Sequence, residues 1–399
     1  MKILVINAGS SSLKYQLVDM GNESVVASGI CDRIGIAGSY IKQKANGKVF
    51  EQKLEMKNHS DAIGHVLKAL IDKEYGVICD MKEIFAVGHR IVHSAEDFTS
   101  SVIINENVLK ISEKNGELAP LHNPANITSI RACQEVMQNT PMVAVFDTAF
   151  HSTMPQHAYL YGIPYEDYKN LRIRRYGFHG TSHMYVSQEA AKVMGKSYDN
   201  FKVVTCHLGN GSSITAVKNG KSIDTSMGFT PLEGVPMGTR SGSIDPAVVE
   251  FLMTKKNFTI SEAITYLNKK SGMLGLSGFS SDFRDLTENS GWESEANRRA
   301  VEVFAYSVKK LIGAYAAAMN GLDCVVFTGG IGENTPIVRE LVLSDMDNLG
   351  IIYDANLNNK FERGKIWKLT PSSSKVAAYI IPTNEELVIA RETKRLINK

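Results

Sequence analysis

Three glycine-bearing clusters in the chain could hold phosphate oxygens: Asn7 to Ser12, Gly209 to Ser213 and Gly329 to Asn334. Glycine lets the backbone approach a ligand closely, and neighbouring Asn and Ser groups with successive backbone N–H groups can line an anion site. Two arginines accompany them. Arg90 is embedded in the apolar run FAVGHRIVH and Arg240 in the loop GVPMGTRSG. A guanidinium in such a setting serves either a structural ion pair or a carboxylate or phosphate ligand. His179 and His183 have the four-residue spacing of a helical metal pair, but HGTSH lacks the glutamate of a zinc protease and carries a glycine between them. His179 reads better as a ligand-facing group at the start of a helix, able to stabilise negative charge on a phosphoryl group in transit. Asp147 and Glu385 are acids at strand and helix ends, which are ordinary caps unless phosphates bind nearby; then they are the oxygen ligands available to Mg²⁺. Together these residues suit phosphoryl transfer. KNGKS at Lys218 to Ser222 has Thr215 where a Walker A loop needs its first glycine, and no GxSxG motif supports a serine hydrolase.

Each cluster needs a strand to deliver it. MKILVINAGSSSLKYQLV reads as strand, turn and strand, with further strands at Val25 to Ile30 and within Ser39 to Leu54, punctuated by Gly21-Asn22 and Asn46-Gly47. Ile63, Val66, Leu67, Leu70 and Ile71 share one face of a helix expected from Ser60 to Glu74. Asp147 follows the apolar strand Val143 to Phe146, at the carboxyl end where open sheets carry chemistry. At a shift of 202, Gly9, Ser10 and Ser11 recur as Gly211, Ser212 and Ser213, again between two apolar strands, which points to a duplicated domain. In the second half SGMLGLSGFSSDFRDL reads as a loop region, Ala296 to Met319 as a long amphipathic helix, and Cys324 to Thr328 as a strand leading into the turn GGIGEN and a helix at Pro336 to Leu343. Strand Val376 to Ile381 precedes a terminal helix capped by Thr383 or Asn384. This gives an α/β chain with one domain over residues 1–150, a second over 151–384, and a terminal helix, 385–399, packing back on the first, with the halves expected to face each other across a cleft.

Composition excludes several classes. Forty-four Lys and Arg against 42 Asp and Glu give a net charge of +2, which offers no field for nucleic acid or an anionic membrane. The five cysteines form no CxxC pair, which argues against a zinc site or a disulfide framework and fits a cytoplasmic protein. No apolar run has the length of a membrane span, and the N-terminal run is a strand ended by Asn7 rather than a signal peptide.

VINAGSSSLKY, GHRIVH, LAPLHNPAN, FDTAFH, RRYGFHGTSH, CHLGNGSSITAV, DTSMGFTPLEGVPMGTRSGSIDP, FTGGIGEN and PTNEE occur in this order and span nearly the whole chain. Together they closely resemble the acetate and butyrate kinase family of the actin, hexokinase and Hsp70 superfamily. The resemblance implies two duplicated actin-like, ribonuclease H-like ATPase domains of βββαβαβα topology around a central cleft. It also implies reversible transfer of a phosphoryl group from ATP to acetate, giving ADP and acetyl phosphate, with Mg²⁺ (Mn²⁺ as a substitute) and a homodimeric assembly. By motif, Asn7 and Glu385 are the metal residues, and Asp147 helps orient the metal and phosphoryl group. Arg90 and Arg240 flank the reacting groups, and His179 stabilises the transition state. Val92, Leu121, Phe178 and Pro231 resemble the acetate methyl pocket. The nucleotide residues implied are Lys14, His207, Leu208, Gly209, Asn210, Gly211, Asp282, Phe283, Arg284, Gly330, Ile331, Gly332, Glu333 and Asn334. One departure is visible: where the family has two glycines after GHRIVH, this chain has Ser94 and Ala95, and Ala disfavours positive φ. Two other readings follow from the same residues, a propionate or butyrate kinase and an actin-like ATPase whose nucleotide state moves a partner.

Overall fold

The computed structural model describes residues 1–120 and 122–398. The chain forms two compact units, one of Met1–Phe150 joined by the C-terminal helix, the other of His151–Thr383. In the first unit, strands β1 (Lys2–Ala8), β2 (Ser12–Asp19), β3 (Ser24–Asp32), β4 (Tyr40–Ala45) and β5 (Lys48–Lys53) form an antiparallel meander. Then β6 (Ile84–Ile91) pairs parallel to β1, and β8 (Met142–Phe146) parallel to β6, with the two-residue β7 (Val102–Ile103) at the edge. Asn46 and Gly47 both have positive φ, the geometry of a two-residue hairpin turn between β4 and β5. The helix His59–Leu70 buries Ile63, Val66, Leu67 and Leu70 and is capped by the Asn58 side chain. It stops short of the expected Glu74, because residues beyond Leu70 turn and the Leu70 carbonyl accepts from the backbone of Val77 and Ile78. The helix Glu385–Ile397 packs on β1, β6 and β8. Gly88 permits this approach: a Cβ there would stand 2.5 Å from Thr393 Oγ1 and 2.6 Å from Ile389 Cγ2.

The second unit repeats the plan. β9 (Lys202–Leu208), β10 (Ser212–Lys218) and β11 (Lys221–Thr225) are antiparallel, and β12 (Cys324–Thr328) and β14 (Ala377–Ile380) continue parallel to β9, with β13 (Trp367–Lys368) at the edge. Strand order 3-2-1 antiparallel followed by two parallel strands is therefore common to both units. The 25-residue helix Glu295–Met319 buries Ala300, Phe304, Val308, Ile312, Tyr315 and Met319 as one stripe, and Asn320 ends it in the left-handed region.

Three expectations change. First, the ladders pair Ala8 with Leu13 but Leu208 with Ser212, so four residues close the first loop and three the second. Gly209, not Gly211, therefore occupies the place of Gly9, and the shift of 202 reflects matching residue types rather than matching positions. Second, GGIGEN is not a turn but the helix Gly329–Asn334, entered directly from β12 with Gly329 at φ +76. Glu333 makes this possible by reaching back, its Oε1 accepting from the Gly329 N–H at 3.0 Å. Third, SGMLGLSGFSSDFRDL contains two short helices, Gly272–Ser277 and Phe283–Thr287, the latter capped by Asp282.

Candidate active site

In the first unit the carboxyl ends of three adjacent parallel strands carry Asn7 (β1), Arg90 (β6) and Asp147, whose N–H continues the ladder to Ile91 O. Arg90 Nε lies 3.0 and 3.1 Å from the two Asp147 oxygens and Nη2 2.6 Å from Oδ2, while Nη1 donates to Asn7 Oδ1 at 3.1 Å. Of five N–H groups, three are spent, and one on each terminal nitrogen is left for a ligand. Asp147 is 1% exposed. Burial raises its carboxyl above the ordinary range and the charge of Glu385 adds to this, while Arg90 opposes it. Burial disfavours the Arg90 cation, yet Asp147, Glu385 and Glu386 outweigh this and hold the proton more firmly than usual. Glu385 is the first residue of the C-terminal helix, whose cap is Asn384 rather than Thr383, with Oδ1 accepting from Leu387 N. Register places Lys14 directly across from Asn7, with its side chain exposed. Val92 is buried at the foot of the same loop, its N–H held by Asn126 Oδ1. Leu121 lies outside the described residues, as does Lys399, the last residue of the span expected for the terminal helix. Ala95 does adopt φ +49, held by a bond from its N–H to His93 Nδ1, and Ser94 bonds Thr148 Oγ1 at 2.8 Å, tying this loop to the residue after Asp147.

In the second unit His179 is the N-cap of the helix Gly180–Val193, at φ +56. Its ring stacks on His207 with centroids 4.2 Å apart, and its Nδ1 is 2.9 Å from Ser213 Oγ. Ser213 Oγ is also 2.7 Å from His183 Nε2, and His183 Nδ1 is 2.7 Å from Thr205 Oγ1. His183 is therefore no metal ligand but the middle of a buried hydrogen-bond chain, and burial beside His151 and His207 keeps it neutral. The lengths assign the direction of that chain. If His183 donated to Thr205, the threonine proton would have to reach Thr215 O at 3.5 Å. Donation from Thr205 to His183, from His183 to Ser213 and from Ser213 to His179 Nδ1 uses the shorter contacts, and it puts the ring proton of a neutral His179 on Nε2.

Gly211 completes this wall. A Cβ there would stand 3.4 Å from Arg240 Nη1, 3.7 Å from His179 Cε1 and 3.8 Å from His179 Nε2, so the space beside this glycine is where the two groups converge. Arg240 contacts only Pro231 O at 3.4 Å and Met237 Sδ at 3.7 Å, and among the described residues no carboxylate neutralises it. Burial lowers its pKa, which marks a cation still short of a partner. Phe178 is buried and gives its carbonyl to His151 Nε2.

A cavity of about 650 Å³ in the same unit is lined by Gly209, Asn210, Asp282, Phe283, Arg284, Gly330, Ile331 and Asn334. Size alone does not single it out, since a cavity of about 870 Å³ beside Arg175, Asp224, Glu233 and Lys270 is larger. Ser281, Glu288, Thr335 and Arg363 also line the smaller one and were missed by sequence reasoning. Of the other residues expected there, Leu208 is wholly buried, Gly332 packs against the end of β12, and Glu333 caps its own helix. His207 bonds Ser182 through Nδ1 at 2.7 Å.

The chain matches the Acetokinase family over residues 2–391. It is 58% identical over 401 residues to a protein named acetate kinase from Caldanaerobacter subterraneus subsp. tengcongensis, covering 100% of this chain and 99% of that one. Among solved structures, Porphyromonas gingivalis acetate kinase superposes with a TM-score of 0.96 at 44% identity, and a propionate kinase from Francisella tularensis with 0.91 at 40%, each covering 99% of both chains. The fold is the two-sheet α/β architecture of actin and hexokinase, and the chain belongs to the acetokinase family, a family of kinases.

Proposed function

We propose that this chain transfers the γ-phosphoryl group of ATP directly and reversibly to acetate, giving acetyl phosphate and ADP. The observation that carries the reading is the convergence of Arg240, a half-buried cation with no carboxylate partner among the described residues, and the His179 ring on the space beside Gly211. A carboxylate is already a nucleophile, so the protein need supply only alignment and charge neutralisation. Arg240 and His179 would take the equatorial oxygens of the phosphoryl group, and the two remaining N–H groups of Arg90 the acetate carboxylate. Asp147 holds Arg90 in place through its double contact. Val92, Phe178 and Pro231, with Leu121, are assigned to the methyl group. Asn210, Asp282, Gly330 and Asn334 would hold the nucleoside in the 650 Å³ cavity, and Lys14 is a further nucleotide contact by resemblance alone.

Asn7, Asp147 and Glu385 offer hard oxygen donors, and the crowding of negative charge that raises the Asp147 carboxyl is what a divalent cation relieves, so the donor set fits Mg²⁺ or Mn²⁺. When bound, that ion supplies charge neutralisation between phosphate oxygens. Asn7 Oδ1 already accepts from Arg90, so it would bind metal through its second lone pair.

Acetate is favoured over propionate because the 58% identical relative is named acetate kinase, while the propionate kinase structure is 40% identical. Membership in a family of kinases sets aside the partner-moving ATPase. Trapping acetyl phosphate with hydroxylamine tests the reading: acetate-dependent hydroxamate is expected, and none at millimolar acetate and ATP would overturn it. A cytoplasmic homodimer is part of the same proposal. Among the described residues no helix is long and apolar enough to cross a membrane. The helix Ala247–Lys256 has no buried side chain and leaves Phe251 62% exposed, a surface suited to a subunit contact. A monomer by light scattering would count against the dimer.

A further inference from the structure

Arg339, on the helix Pro336–Leu343, has no exposed surface and is the largest side chain buried so completely among the described residues. A buried guanidinium ordinarily brings a carboxylate with it. Here every hydrogen-bond acceptor is neutral. Nη1 donates to Gly332 O at 2.9 Å and Glu333 O at 3.0 Å, Nε to Asn358 Oδ1 at 2.8 Å, and Nη2 to Asn358 O at 3.4 Å. The guanidinium also lies over the Phe361 ring, 4.5 Å from its centroid. Burial lowers its pKa to about 10. Asn358 is locked in turn, donating to Pro336 O at 3.0 Å.

These partners are not scattered. Gly332 and Glu333 end the helix Gly329–Asn334, whose Gly330, Ile331 and Asn334 form one wall of the 650 Å³ cavity. Phe361 stands two residues before Arg363, which lines the same cavity from another loop. One guanidinium therefore grips the backbone behind one wall and the ring that anchors another. Its planar fork suits the two carbonyls and the amide at once, which a lysine could not match.

We propose that Arg339 is a positioning residue for the nucleotide: by fixing the Gly329–Asn334 helix and the Phe361–Arg363 loop relative to each other, it sets the width of the cavity and hence the affinity for a nucleoside triphosphate. It does so without touching the ligand. The inference rests on the reading of this cavity as the nucleotide site.

Steady-state kinetics of the full-length protein with Mg²⁺, varying ATP and acetate separately, tests it in Arg339→Met and Arg339→Lys. The Met variant is expected to raise the KM for ATP by ~10-fold while the KM for acetate stays within about 2-fold and kcat within about 3-fold, the pattern of lost substrate binding. Lys, which keeps the charge but loses the fork, should recover part of the loss. A Met variant with a lower Tm and an unchanged KM for ATP would overturn the proposal, because a purely structural role moves stability alone. Should the Met variant not fold, Phe361→Leu, which removes only the ring contact, is expected to raise the KM for ATP by about 3-fold, and an unchanged value overturns the proposal equally. Asn334→Ala, at a residue lining the cavity, separates the two levels. If it too leaves the KM for ATP unchanged, the nucleotide reading of the cavity fails and takes the inference with it. If Asn334→Ala raises that KM and Arg339→Met does not, the inference alone falls.

Discussion

Replacing Arg90 by alanine should damage folding as well as turnover, and the two losses can be separated. Asp147 is 1% exposed and both its oxygens accept from Arg90, so the truncation strands a buried carboxylate. Removing one partner of such a pair costs ~3–5 kcal/mol, a large share of the ~5–15 kcal/mol that holds a domain together. Turnover should fall by at least ~100-fold, since charge-assisted contacts to the reacting centre go with it. Stability in the variant should also become pH-dependent in a definite direction. The Asp147 carboxyl is already raised in the folded protein by burial and Glu385, and loss of Arg90 removes the opposing influence. The folded state then binds a proton that the unfolded state does not. Stability is therefore present at low pH and lost as pH rises through the folded pKa, by up to ~1.4 kcal/mol per unit. Urea unfolding of Arg90→Ala at pH 7 and pH 5 should show the variant regaining about 2 kcal/mol relative to wild type at the lower pH. Adding Asp147→Asn should recover a similar amount at pH 7 and leave turnover low. Equal stability of Arg90→Ala and wild type at pH 7, or no recovery in the double variant, would refute the claim that the pair is mutually dependent.

Three further outcomes are expected. His151, wholly buried and bonded through both ring nitrogens, has its pKa lowered to about 4 by burial, so its stabilisation is present above pH 6.5 and lost as pH falls; its share of the unfolding free energy at pH 5 should be lower than at pH 7 by about 2 kcal/mol, and a flat dependence would contradict its neutral burial. Ala95→Gly should raise stability by ~0.5–1 kcal/mol, because relief of the φ +49 conformation outweighs the entropy glycine adds to the unfolded chain; a destabilised variant would show the loop to be unstrained. Gly211→Ala should leave the Tm unchanged but lower kcat by ~10–100-fold, since its methyl would stand 3.4 Å from Arg240 Nη1 in the space assigned to the phosphoryl group, and wild-type kcat would place the reaction elsewhere.

Much of this was legible because two signals are local. Strand alternation and turn residues such as Asn46-Gly47 specify β4 and β5 without outside help, and the apolar run before Asp147 places that acid at a strand end. What escaped the sequence depends on side chains that return over a distance. GGIGEN looks like a turn because its glycines favour one, and only the reach of Glu333 back to Gly329 makes it a helix. The repeat was visible as GSS twice, but loop length is set by ladder register, which residue types do not encode. Arg339 and Asn358 are 19 residues apart and each resembles a surface residue in its own segment; their burial exists only once the helices Pro336–Leu343 and Ala355–Asn359 pack. Arg363 stays exposed, and only the fold brings it to the edge of the cavity.

The two arginines show most clearly what residue type leaves undecided. In the sequence Arg90 and Arg240 are equivalent, each a cation among apolar or glycine neighbours with an even choice between structural and ligand roles. In the fold Arg90 spends three of its five N–H groups on Asp147 and Asn7, and its charge is already balanced. Among the described residues the Arg240 guanidinium bonds only a carbonyl and a sulfur, both at long distance, and burial lowers its pKa instead of a partner raising it. An incoming anion thus gains more from Arg240, whose field is unopposed, than from Arg90, whose field Asp147 cancels beyond the nearest contacts. On the proposed reading the transferring phosphoryl group, which carries the greater charge, would therefore belong with Arg240. Acetate needs orientation more than neutralisation, and a guanidinium clamped by a buried carboxylate would provide it.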